Sequence, residues 1–135
     1  MPAPIKTTRI RKYRDIDLDF IVHPMTNDIV GRSDVDAING SVINIIKTQR
    51  GERVFQSEFG STIYHSLFEP MITETRVILE AAIEEAINLH EPRIELQGVK
   101  VTPDPDRNGY EVTIVYVPIN EGTPVELDFF LNRLR

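Results

Sequence analysis

Leu89-His90-Glu91-Pro92-Arg93-Ile94-Glu95-Leu96-Gln97-Gly98-Val99-Lys100-Val101 is the stretch on which the fold turns. Before it, apolar residues recur at helical spacing. From Thr73 to about His90, Leu79, Ala82, Ile83, Ala86 and Leu89 line one face, with Glu80, Glu84 and Asn88 opposite. Proline has no amide donor and clashes with the preceding turn, so the helix ends at Glu91-Pro92. Beyond it the period is two: Ile94 and Leu96 share one face, then Val99 and Val101 share a face in the opposite phase. The slip at Gln97-Gly98 predicts a β-bulge. Glu91 falls at the negative end of the helix dipole, where an acid is disfavoured unless it is paired. Arg93 offers a planar, permanently charged fork for a carboxylate, either its own neighbour's or another chain's.

Working forward, Pro103 to Gly109 is a turn cluster ending in Asn-Gly, a hairpin signal. Tyr110, Val112, Ile114 and Tyr116 alternate with Glu111, Thr113, Val115 and Val117. Both faces of this strand are fairly apolar, which predicts a central position. A last strand runs from about Val125 to Leu131, with Glu126 and Asp128 between Val125, Leu127 and Phe129. Working backward, Ser33-Asp34-Val35-Asp36 has the form of a capping box. It precedes a helical stripe of Val35, Ile38, Val42, Ile45 and Ile46, which should end near Gln49 with Gly51 as a left-handed cap. Ser61 should cap a short helix through Leu67, stopped by Pro70. Asp15-Ile16-Asp17-Leu18-Asp19-Phe20 alternates acid and apolar and predicts a short strand with one buried and one negative face, broken by His23-Pro24. The fold class is therefore α+β, with central helices packed on a small, mostly antiparallel sheet.

At 135 residues the chain is one domain by size. It has no cysteine, so thiol and disulfide chemistry are absent. No apolar run approaches the ~20 residues of a membrane span, and the N-terminus lacks the apolar stretch of a signal peptide. Residues 1–14 hold Lys6, Arg9, Arg11, Lys12 and Arg14 and no acid, a basic arm. The remainder, residues 15–135, is strongly acidic, against a net −6 for the whole. An acidic body argues against nucleic acid as a partner. The arm suits a phosphate backbone, a neighbouring acidic subunit or simple solvation.

Catalytic and metal signatures are weak. Three histidines are few and scattered, and the adjacency of His65 and Ser66 establishes no nucleophile–base pair, which is recognised by spatial arrangement. There is no phosphate-binding glycine motif. Asp104-Pro105-Asp106-Arg107-Asn108-Gly109 imitates the opening of a calcium-binding EF-hand loop. However, the twelfth position is Val115, where calcium needs a bidentate Glu, and the flanks read as strands. No metal, cofactor or catalytic residue is assigned.

Several segments fall into one order: D-I-D-L-D-F at Asp15–Phe20, T-Q-R-G-E-R at Thr48–Arg53, Phe59-Gly60, Leu67-Phe68-Glu69-Pro70, Thr75, Glu91-Pro92-Arg93-Ile94, and a strand with Val99 and Val101. This succession, over about residues 15–131, resembles the baseplate wedge and sheath-initiator family of contractile phage tails, with relatives in type VI secretion baseplates and contractile injection particles. Two departures stand out. The family often shows Pro or Asn between G-E-R and F-G, where this chain has Val54 to Glu58, and the arm before Asp15 is outside the pattern.

The resemblance implies a structural, non-enzymatic subunit in the virion tail baseplate, assembled in the bacterial host cytoplasm. It implies six copies in a ring around the tail tube, bound to wedge proteins, with a fold like the inner domain of the sheath subunit. It also implies strand edges that start the first sheath ring, and a contact patch toward the wedge helical bundle at Glu91, Pro92 and Arg93. The candidate edges are Ile16, Asp17, Leu18, Asp19 and Phe20 at one end and Glu126, Leu127, Asp128 and Phe129 at the other. Acid-rich edges resist promiscuous pairing yet suit strand addition by a chosen partner. The alternatives are a peptidoglycan-degrading, lysozyme-like tail enzyme and a general adaptor bound through the basic arm.

Overall fold

A computed structural model describes residues 13–16, 19–29 and 31–134. The helix that the opening stretch terminates is α3, Thr73–His90, and the strand it begins is β3, Ile94–Asp104. β3 pairs antiparallel with β4, Gly109–Pro118, which pairs antiparallel with β5, Val125–Asn132. The order β3-β4-β5 makes β4 central, as its two apolar faces require. Tyr110, Val112, Ile114 and Tyr116 are each 0% exposed and face the helices. The helical layer is α1, Val35–Lys47, the short α2, Ile63–Ser66, and α3. Ile38, Val42 and Ile46 of α1 join Leu79, Ile83 and Ile87 of α3 in one core with the inward sheet residues. This is the α+β arrangement read from the sequence.

The bulge lies where the phase slips. Leu96 pairs with Tyr116 and Gly98 with Val115, so Gln97 is the extra residue. It brings both oppositely phased runs inward, with Leu96 opposite Tyr116, Val99 opposite Ile114 and Val101 opposite Val112.

Local details depart from the sequence reading. The helix α1 ends at Lys47 with Thr48 as its C-cap, near the expected Gln49, but Gly51, left-handed at φ 89°, lies inside the following loop and does not cap it. The capping box does not form: Asp34 occupies the N-cap at φ 52°, with no side-chain capping bond. Ser61 does not cap α2, because its hydroxyl donates instead to the Ile46 carbonyl (2.6 Å). On α3, Ile87 takes the buried place expected of Leu89, which is 61% exposed at the last turn. Asn108 does adopt a left-handed φ of 49°, but as the last residue of a four-residue loop, since Asp104 pairs with Gly109.

The largest departure is at the start of the chain. The strand expected over Asp15–Phe20 is only β1, Arg14–Ile16, paired with β2, Gly31–Ser33, in a separate two-stranded ribbon. Asp17 and Leu18 lie outside the described residues, and Asp19 and Phe20 are not in a strand. The expected buried face is not buried: Ile16 is 58% and Phe20 61% exposed. Alternation requires something to pack against, and the core is already closed by the helical layer and the main sheet. Of the basic arm, residues 1–12 lie outside the described residues; Tyr13 packs against the core and Arg14 opens β1.

Candidate assembly interface

The charges of Glu91-Pro92-Arg93 are paired within the chain. Arg93 donates from Nε to Glu91 Oε1 (2.6 Å) and from Nη2 to Oε2 (2.8 Å), a bidentate fork. The proline stops α3 with Glu91 at its C-cap, and the next turn of backbone places Arg93 at the root of β3. The Glu91 side chain is 2% exposed and that of Arg93 25%. Burial alone would raise the Glu91 pKa; hydrogen bonds from Arg93 and Ser41 and the guanidinium charge outweigh it, so the net shift is downward. The Arg93 pKa moves up, chiefly through its bond to Glu91. Tyr116 adds to the cluster by donating to Asn39 Oδ1 of α1 (2.5 Å). Its phenol is pushed up to about 12 by burial, with Glu91, Asp36 and Glu121 contributing. Outward, the guanidinium carbon of Arg93 lies 5.1 Å from the centroid of the Tyr13 ring, so the pair also ties the root of β1 to the body.

The motif residues T-Q-R-G-E-R and F-G close one loop. Ser61 donates its amide to the Thr48 carbonyl (2.9 Å), and Arg50 donates to the Ser61 carbonyl (3.1 Å). The Arg53 guanidinium lies 4.1 Å from the Phe59 centroid, and Phe59 packs on His90 at 5.0 Å. Gly60 sits at φ 112° against the Thr48 carbonyl, where a Cβ has no room. The loop tip leaves Val54 88% and Phe55 100% exposed.

The two edges of the main sheet differ. On β3, Val101 donates its amide to Glu80 Oε1 of α3 (3.0 Å), so a half-buried carboxylate takes one outward amide of that edge. Sequence periodicity placed Glu80 on the solvated face; its reach to a strand amide has no signal in the spacing. Among the described residues no strand pairs with the outer edge of β5, and Glu126 and Asp128 are exposed on the face away from the helices. Asp128 accepts a bond from the Thr113 hydroxyl (2.6 Å). Leu127 is buried in the core and Phe129 packs against it.

His65 is exposed beside a buried Ser66, His23 accepts amide bonds within its own turn, and Glu69 is exposed. Among the described residues no three His, Asp or Glu side chains form a metal-holding group, and no helix is long and apolar enough to cross a membrane. Asp104 serves the hairpin: it accepts from the Arg107 amide (3.2 Å) and lies 4.0 Å from its guanidinium.

The described residues thus combine a buried ion pair at a helix stop, a three-stranded sheet and exposed apolar segments. The chain belongs to the baseplate wedge protein gp25 family, whose profile matches residues 32–121. It is 32% identical over 114 residues to baseplate wedge protein gp25 of Enterobacteria phage T4, covering 84% of this chain and 86% of that protein. A Geobacter sulfurreducens structure carrying the provisional name tail lysozyme superposes with a TM-score of 0.69 at 31% identity, over 74% of this chain and 91% of that one. The anti-feeding prophage baseplate, a sixfold-symmetrised assembly, contains a chain of the same fold, at TM-score 0.61 and 21% identity over 92% of this chain and 87% of that one. The chain is thus a tail-baseplate component that partners other baseplate proteins. The family match spans the Glu91–Arg93 pair, whereas β1 and β5 lie outside it.

Proposed function

We propose that the chain is a non-enzymatic wedge subunit that receives strands of the tail sheath at its open β5 edge and so starts sheath assembly. Six copies would ring the tail tube. The observation that carries this reading is the asymmetry of the sheet. Glu80 takes the Val101 amide on the β3 edge, whereas among the described residues no strand pairs with the outer side of β5, which carries Glu126 and Asp128. An edge of this kind suits strand addition. The exposed ribbon residues Ile16, Asp19 and Phe20 supply a second contact surface for the same assembly. Pro92 and the outer side of Arg93 face the wedge proteins, while Glu91, being buried, positions Arg93. The double variant Glu126→Lys/Asp128→Lys should fold normally yet yield tube-bearing particles without sheath by electron microscopy. Sheathed particles at wild-type frequency would sink this reading.

The structural neighbour's name raises a lysozyme-like alternative. Glycoside hydrolysis needs one carboxyl group with a raised pKa to act as acid. Glu91 has the opposite shift and both its oxygens are held by Arg93. Peptidoglycan-degrading activity of the purified protein that disappears in Glu69→Gln or Glu91→Gln would favour the enzyme instead.

A further inference from the structure

The helices cover one face of the main sheet. On the other, Val115 and Val117 of β4 are half-buried and neither belongs to the core. Gly98 pairs with Val115, and the place of its missing side chain is open space. Ile119 continues the same alternation past the strand end and is 68% exposed. Four exposed carboxylates surround this apolar centre. Glu95 is opposite Val117, Glu126 opposite Val115, Asp128 opposite Thr113, and Glu111 lies between Thr102 and Phe130. Asp128 is held by the Thr113 hydroxyl (2.6 Å), whereas Glu95, Glu111 and Glu126 form no ion pair among the described residues. The bases described on this face are Lys100, opposite Thr113, and Arg107, which lies over Phe130 and beside Asp104. The face is therefore negative around an apolar middle, where a solvated antiparallel face is ordinarily polar.

We propose that the occupant of this face is the chain's own basic arm, residues 1–12, laid across the sheet as an extended segment. The arm carries Lys6, Arg9, Arg11 and Lys12 and no acid, together with Ile5 and Ile10. Its charges complement the carboxylates and its isoleucines the valines. It also starts in the right place. Tyr13, where the described residues begin, stacks 5.1 Å from Arg93, and the Arg93 carbonyl accepts the Ile119 amide (3.0 Å). The arm therefore leaves the body at the end of the sheet where Glu95 pairs with Val117. An extended arm of this length reaches ~40 Å, and β4, Gly109–Pro118, spans ~33 Å, so the arm is long enough to cross the face. Exposed ion pairs are individually weak and screened by salt. A tethered segment, however, meets the face at an effective concentration of about millimolar, which favours the chain's own arm over that of a second copy. This seat is separate from strand addition at the β5 edge, which uses backbone groups at the side of the sheet and not its face.

Paramagnetic broadening in NMR spectra of the full chain tests this. The chain has no cysteine, so Thr7→Cys carries a single nitroxide. The amides of Thr113, Val115 and Val117 should lose intensity, while those of Ile38 and Val42 in α1 keep theirs. Glu95→Lys/Glu111→Lys should restore the sheet signals. So should Arg9→Glu/Arg11→Glu, which leaves the packed body untouched and guards against a folding defect in the first variant. Diluting the isotope-labelled, spin-labelled protein with unlabelled protein should leave the pattern unchanged. Broadening confined to the surroundings of Tyr13, or broadening of the sheet that persists in both charge variants, overturns the proposal. Loss of the sheet broadening on dilution assigns the face to the arm of a second copy and overturns the occupant named here.

Discussion

Glu91 and Arg93 illustrate how two residues carry more than their own contact. A carboxylate that is 2% exposed depends on its fork of hydrogen bonds. Arg93→Ala should therefore destabilise the protein by about 3 kcal/mol or more, since it leaves a buried charge unpaired. Glu91→Gln should cost less, because a neutral amide is cheaper to bury. The pH dependence has a fixed sign. With the folded-state pKa depressed below 4.5, the pair's contribution is complete above that value and is lost as pH falls through the depressed one. Urea unfolding between pH 7 and 3 should show the wild-type advantage over Glu91→Gln flat above about pH 4.5 and shrinking below it. An advantage that grows on acidification would contradict the pairing.

Among the elements, β3 is the one whose sequence looks inconsistent and whose structure resolves the inconsistency. Ile94 and Leu96 are out of phase with Val99 and Val101, yet all four face inward because Gln97 is looped out of the ladder. Deleting Gln97 leaves every inward residue inward, whereas deleting Lys100 turns one of two valines to solvent. The first deletion should lower the melting temperature little. The second should cost about 1.5–3 kcal/mol, the worth of a buried valine. Equal losses by calorimetry would mean that the bulge has a role beyond phase. Loop 48–61 was readable in a different way. Its T-Q-R-G-E-R and F-G motifs were visible, but their joint role, closing a loop over His90, depends on a parallel bridge between Gln49 and Ser61.

The whole molecule divides into a packed body and an exposed ribbon. Ile16, Phe20, Ile21, Val22, Met25 and Ile29 are all exposed, and none belongs to the core. A two-stranded ribbon is marginal by itself, and a group of exposed apolar residues on one marks a surface suited to association. Removing residues 1–30 should leave cooperative unfolding intact. The cost should be about 1–2 kcal/mol, for the Asp34 amide bond to Tyr13 and the Tyr13 packing. The truncated protein should also associate less by light scattering. Loss of the unfolding transition would mean that the ribbon is part of the body.

The helix α3, its stop at Pro92, the bulge and the central place of β4 were legible in the sequence. Each follows from local geometry: a missing amide, or a period of 3.6 or 2. Tertiary structure alone decided which apolar alternation was buried, that Glu80 takes the Val101 amide on the β3 edge, and that Arg93 binds its own Glu91. Those depend on which surfaces meet. Periodicity shows that a face is apolar, but only packing shows whether the chain itself covers that face or leaves it for a neighbour.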